Sequence, residues 1–235
     1  MTTIAQELTA VQRRIETACT QAGRSCAAVQ LLAVSKTSGP DAVAQAVAAG
    51  QRAFGENYIQ EGVDKVAALR ELCPGVAIEW HCIGPIQSNK TRLVAEQFDW
   101  VHSVDRLKIA QRLSEQRPAG LPPLQVCVQV NVDGGANKSG VAPAELPALA
   151  QAVAALPRLR LRGLMCIPEP APDFAAQKQL FDRAGALFHG LKAQGLALDT
   201  LSMGMSADLE AAVHAGSTLV RVGSAIFGAR AAKTG

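Results

Sequence analysis

Short apolar runs alternate with segments of helical periodicity along this chain, and that alternation limits its fold more than any other feature of the sequence. Strand-like runs fall at residues 29–36, 52–55, 77–83, 100–103, 125–132, 159–165, 198–202 and 218–222. Helical spacing marks 41–49, 59–69, 106–116, 144–156, 174–194 and 207–215. Strands separated by crossover helices run parallel, because each helix carries the chain back to the end of the sheet where it started. Eight such units fill the 235 residues. Residues 1–235 are therefore expected to form a single α/β domain, a (β/α)8 barrel of the TIM type. Ahead of the first strand, Ile4, Leu8, Val11, Ile15 and Cys19 share one helical face. Thr3 with Gln6 fits a capping box and Gly23 a stop, so an extra N-terminal helix is expected.

An open, doubly wound sheet is the competing architecture. It calls for a glycine-rich phosphate turn after the first strand, and Ser35-Lys36-Thr37-Ser38-Gly39-Pro40 is not one. Gly134-Gly135-Ala136-Asn137-Lys138-Ser139 lacks the glycine that precedes lysine in a P-loop. The net charge of +3 is too balanced to point to nucleic acid or an anionic membrane. No run reaches the length of a membrane span, and the start carries no basic region followed by an apolar core, so a cytoplasmic protein is expected. The six cysteines include no C-x-x-C pair and read as buried free thiols, and no metal site is expected.

Barrel active sites collect where strands end. Lys36 lies at the end of the first strand on the face of Leu32 and Val34. Desolvation there favours the neutral amine, which is the form that attacks an aldehyde. In the strand at 125–132, Gln125, Cys127, Gln129 and Asn131 face the interior, and Asn131 and Asp133 reach the mouth. After the seventh strand, Ser202-Met203-Gly204-Met205-Ser206-Ala207-Asp208 leads into a helix that Ser206 is placed to cap. After the eighth, Arg221-Val222-Gly223-Ser224-Ala225 leads into the last one. Two such turns suit a phosphate. With a mouth lysine and an interior arginine, they suggest a phosphorylated aldehyde as ligand.

Five motifs carry a closer resemblance. They are Leu32-Ala33-Val34-Ser35-Lys36-Thr37, Phe54-Gly55-Glu56-Asn57-Tyr58, His81-Cys82-Ile83-Gly84-Pro85-Ile86-Gln87-Ser88-Asn89-Lys90, Leu201-Ser202-Met203-Gly204-Met205-Ser206 and Val220-Arg221-Val222-Gly223-Ser224-Ala225-Ile226-Phe227-Gly228. In order and spacing the chain resembles the YggS-type family of pyridoxal 5′-phosphate homeostasis proteins, built like the barrel domain of alanine racemase. The resemblance implies that Lys36 holds pyridoxal 5′-phosphate as an aldimine. It implies that Ser206, Gly223, Ser224 and the Met205 amide hold the phosphate, and that Arg221 faces the pyridine nitrogen. Asn57 and His81 would line the cofactor pocket. Lys138 aligns with a racemase arginine near the phenolic oxygen, and Ser38 stands where many relatives have a second lysine.

The same resemblance implies a carrier rather than an enzyme. A cationic Arg221 leaves the ring nitrogen unprotonated and weakens the electron sink, and racemisation needs a second base. In alanine racemase that base is a tyrosine from a further domain of a partner subunit; here Tyr58 is the only tyrosine, and Ile167 replaces a ring-supporting histidine. The expectation is a monomer that buffers pyridoxal phosphate and passes it transiently to apo-enzymes. A fold-type III racemase or decarboxylase, or a cofactor-free Schiff-base aldolase, are the alternatives.

Overall fold

The computed structural model describes residues 2–134 and 139–228. Its eight strands close into a barrel in chain order, every adjacent pair parallel. They are β1 (Gln30–Val34), β2 (Ala53–Glu56), β3 (Glu79–Cys82), β4 (Trp100–Val104), β5 (Leu124–Gln129), β6 (Leu159–Met165), β7 (Thr200–Ser202) and β8 (Leu219–Val222). The crossover helices are α2 (Pro40–Ala48), α3 (Ile59–Leu72), α4 (Thr91–Gln97), α5 (Leu107–Gln116), α6 (Leu146–Ala154), α7 (Phe174–Ala193) and α8 (Leu209–His214), with α9 (Ser224–Phe227) after β8. None of the described helices is long and apolar enough to cross a membrane.

The extra N-terminal helix is present as α1 (Ile4–Gln21), opened by the Thr3–Gln6 capping box and followed by Gly23 at φ +65°. Its apolar face, Leu8, Val11, Ile15, Ala18 and Cys19, joins the main core between sheet and helices. The polar edge of α1 does something the sequence did not signal. Arg14 forms a two-pronged ion pair with Glu210 on α8 and donates to the Ser206 carbonyl at 3.0 Å, so it braces the turn after β7.

Strand faces follow the period of two. Val126, Val128, Val130 and Val132 pack outward in the main core, whereas Cys127 meets Trp100 and Met165 inside the barrel. Leu32, Val34, Ile83 and Leu219 belong to a separate interior cluster. β5 stops earlier than its apolar run, because the Asn131 amide bonds to the Val141 carbonyl and leaves the ladder. Helix α8 also starts later than expected. Asp208 Oδ1 turns back to accept the Met205 amide at 2.6 Å, and the Asp208 amide donates to the Met205 carbonyl. Residues 205–208 are thus a closed turn, with Asp208 rather than Ser206 at the N-cap position. Of the six cysteines, Cys19, Cys82, Cys127 and Cys166 are buried free thiols, but Cys26 is exposed and Cys73 half-buried. Cys73 follows the last residue of α3 and still packs against the main core, whereas Cys26 lies in the connection before β1.

Candidate functional site

A cavity of about 630 Å³ opens at the C-terminal mouth of the barrel. Lys36, Asn57, Met205, Ser206, Arg221, Gly223 and Ser224 all line it, brought together from the ends of β1, β2, β7 and β8. This size suits a small cofactor. A comparable cavity of about 660 Å³ lies at the opposite end, lined by Gln30, Gln51, Arg52 and Glu79, and none of the described residues that line it is a lysine. The mouth cavity is therefore the one with an amine to offer an aldehyde.

Lys36 sits in a turn closed by the Ser38 amide on the Ser35 carbonyl at 3.0 Å. Thr37 occupies the following position at φ +65°, an unusual conformation for a β-branched residue that costs about 1–3 kcal/mol. A buried ionic cluster behind the turn holds it there. The Thr37 amide donates to Glu61 Oε1 at 2.6 Å. Lys65, only 3% exposed, donates to that same oxygen, to Glu56 Oε1 at 2.8 Å and to the Ser35 carbonyl at 2.6 Å. The Ser35 hydroxyl also donates to Glu56 Oε1. Burial raises the Glu56 carboxyl above its usual value, against the lowering effect of Lys65 and Ser35.

On the other side of the cavity, the hydroxyls of Ser206 and Ser224 lie 3.3 Å apart. Ser224 and Ala225 open α9, so their amides have no acceptor within the helix. Gly223 packs closely beside them: a Cβ there would come to a tight 3.1 Å from the Val34 carbonyl. These groups form a small polar cradle. The Met205 amide, expected to join it, is engaged with Asp208, although Met205 lines the cavity.

Arg221 is buried at 3% exposure. It donates to the Ser202 carbonyl at 2.7 Å, the Ser202 hydroxyl at 2.8 Å and the Cys166 carbonyl at 3.0 Å. That engages three of the five N–H donors of a guanidinium and leaves two. Burial pulls its value down, yet an arginine remains charged. Asn57 Oδ1 is buried without a hydrogen-bond partner. Gly84 packs against its backbone so closely that a Cβ would lie 2.1 Å from the Asn57 carbonyl. An amine, a polar cradle, a buried cation and an orphaned buried acceptor around one cavity fit a phosphorylated aromatic aldehyde.

His81 does not line this cavity. It is fully buried in the barrel interior, bonded to Glu79 and His102, and Ile83, two residues further along the same face of the chain, forms the wall instead. Asn131 and Asp133 do not line it either; each accepts a loop amide, from Gly134 and Glu169. Lys138 lies outside the described residues. Ser38, Thr37 and Phe227 border the cavity without having been assigned a role from the sequence.

Residues 7–231 match the family model described as alanine racemase, N-terminal domain. A pyridoxal phosphate homeostasis protein of Pseudomonas aeruginosa is 62% identical over 98% of this chain and 97% of its own. One from Escherichia coli K12 is 56% identical over 98% of each chain. The solved structure of PipY from Synechococcus elongatus with pyridoxal phosphate bound superposes with a TM-score of 0.83, at 36% identity over 96% of this chain and 100% of that one.

Proposed function

The chain belongs to the alanine racemase N-terminal domain family and, within it, to the pyridoxal phosphate homeostasis proteins, and from that premise we propose how its mouth cavity holds the cofactor and lets it go. The protein binds pyridoxal 5′-phosphate and serves in its homeostasis. Lys36 supplies the amine that takes the aldehyde. Ser206 and Ser224, with the first amides of α9, take the phosphate, and Gly223 lets the backbone come close. Arg221 donates toward the ring nitrogen, and Asn57 Oδ1 offers an acceptor to the edge of the ring.

The observation that carries a holding role rather than turnover is the composition of the wall. Among the described residues lining the cavity, Lys36 and Arg221 are the only titratable ones. Bound pyridoxal phosphate supplies an electron sink for amines joined to its aldehyde. Arg221, a permanent donor, keeps the ring nitrogen without a proton and makes that sink shallow. Moving a substrate proton across the ring needs a base on each face. Lys36 serves one; Tyr58 is 54% exposed and outside the wall. Buffering, with transient transfer by a monomer to apo-enzymes in the cytoplasm, is the function that such a wall serves.

Borohydride reduction of the loaded protein is expected to fix the cofactor, and peptide mass mapping to find it on Lys36. The loaded protein should restore activity to a pyridoxal phosphate-dependent apo-enzyme, without turning over amino acids faster than free cofactor does. Fixation elsewhere would overturn the Lys36 assignment, and robust turnover the carrier role.

A further inference from the structure

Between the cofactor cavity and the opposite end of the barrel runs an unbroken line of polar side chains. Arg221 donates to the Ser202 hydroxyl at 2.8 Å. Ser202 Oγ lies 2.8 Å from His102 Nδ1, and His102 Nε2 lies 2.8 Å from His81 Nδ1. His81 Nε2 lies 2.8 Å from Glu79 Oε1. Ser202, His102 and His81 are completely buried. Glu79, with its side chain 41% exposed, borders the cavity at the N-terminal end of the barrel. The line joins β3, β4, β7 and β8, so it crosses the interior.

Elementary donor and acceptor chemistry fixes the direction of every bond in it. Glu79 is held as a carboxylate, its value lowered first by the His81 hydrogen bond, and a carboxylate only accepts. His81 must therefore donate from Nε2. Burial keeps both imidazoles neutral, so each has one N–H. His81 Nδ1 is then an acceptor, which makes His102 Nε2 the donor to it. His102 Nδ1 in turn accepts the Ser202 hydroxyl, whose lone pairs accept from Arg221. Each donor points away from the guanidinium and toward the distant carboxylate.

This order answers a need at Arg221. Among the described residues no carboxylate lies within ion-pair distance of this buried cation. Asp208 faces it only at longer range, with the Cys127 and Cys166 thiols also nearby. The rest of the line is held by packing: the Trp100 ring stacks on His81 with centroids 5.3 Å apart, and the Arg162 guanidinium lies over Trp100 at 4.7 Å. Asp99 adds a second charge near Glu79 and His81, and Gln30 donates to Glu79.

We propose that Glu79, His81, His102 and Ser202 are positioning residues for Arg221, a one-way relay of donors that fixes the guanidinium and makes the field at the bound ring depend on a carboxylate at the other end of the barrel. This rests on the reading that Arg221 meets the ring nitrogen of bound pyridoxal phosphate. Aligned hydrogen bonds polarise one another, so a charge change at one end is felt at the other.

Nuclear magnetic resonance of the full chain with 15N-labelled histidine tests the relay before any cofactor is added. The chain has only four histidines. Both His81 and His102 are expected to be neutral with the proton on Nε2. An Nδ1–H tautomer or an imidazolium at either would overturn the relay. The second arm loads the protein with pyridoxal phosphate labelled with 15N at the ring. Glu79→Gln keeps the acceptor but removes the charge, at a side chain that is 41% exposed. This variant is expected to move the ring 15N resonance of bound cofactor beyond its linewidth while the phosphate 31P resonance stays in place. Ser202→Ala, which removes the link next to Arg221, should move it as well. A ring resonance unchanged in both variants would overturn the proposal. Failure of the wild-type chain to take up pyridoxal phosphate at all is a different result, and it would overturn the binding function itself.

Discussion

The hydroxyls of Ser206 and Ser224 lie 3.3 Å apart at the mouth of the barrel, and the proposed role in holding phosphate rests on these single atoms. A hydrogen bond to a charged group contributes about 1.5–3 kcal/mol, so Ser206→Ala or Ser224→Ala should each weaken pyridoxal 5′-phosphate roughly ten- to hundredfold. Pyridoxal, which lacks the phosphate, should bind both variants as it binds the wild type. Titration of the two vitamers checks this, and parallel losses for both would place the phosphate elsewhere. At this scale the sequence was informative wherever a side chain's face settled its role. Lys36 follows Leu32 and Val34 on an inward face, and it does reach the mouth. His81 also lies on the inward face, but the period of two says nothing about depth along the barrel axis. It therefore sits one layer below the wall that Ile83 forms. Arg14 gave no signal at all, since an arginine on the polar edge of an amphipathic helix looks solvated until α8 is seen beside it.

The turn after β1 depends on elements that come later in the chain. Lys65 on α3 ties Glu56 at the end of β2 to the Ser35 carbonyl, and Glu61 holds the Thr37 amide. Removing one partner of a buried ion pair leaves the other charge uncompensated, at about 3–5 kcal/mol. Lys65→Met should lower the unfolding free energy by that amount in urea titration, and it should loosen the Lys36 turn as well. Restoring the neutral balance with Lys65→Met in a Glu56→Gln background should recover part of the loss. If the single variant were as stable as wild type, the cluster would have no role in holding the turn. β6 and β7 show the same dependence through backbone alone: a Cβ on Gly163 would lie 1.7 Å from the Thr200 carbonyl. Gly163→Ala should therefore separate the two strands and cost about 1–3 kcal/mol or more by the same measurement. Most elements were legible because apolar periodicity is a property of neighbouring residues. Several boundaries moved, α3 running three residues past its expected end, and at β5 and α8 the cause is a tertiary hydrogen bond (Asn131 to Val141) or a backward-turning side chain (Asp208 to Met205) that outcompeted the local pattern. α4 is seven residues long, too short to display a helical period.

Closure of the barrel was legible from the number of repeating units, but what fills its interior was not, and that filling gives the whole molecule its response to pH. His81 and His102 are both completely buried, with their values lowered from 6.5, first by burial in each case and further by each other's proximity at His102. The unfolded chain takes up a proton on each below about pH 6.5, whereas the folded chain does so only at lower pH. Their contribution to stability is thus complete above that value and is lost as the pH falls toward the folded values. One unit of pH in this window is worth up to about 1.4 kcal/mol for each histidine. Glu79, whose value is lowered, acts in the same sense only below about 4.5, and Glu56, Asp99 and Asp208, whose values are raised, act in the opposite sense. The carboxylates remain in a His102→Gln variant, so comparing slopes separates the imidazole from them. Urea unfolding between about pH 6.5 and 5 should show wild-type stability falling as the pH falls. In His102→Gln that fall should be shallower by up to about 1.4 kcal/mol per pH unit, whatever the variant's own stability at pH 7. Identical slopes would mean that His102 is protonated in the folded barrel, and a protonated His102 has no lone pair on Nδ1 with which to accept the Ser202 hydroxyl.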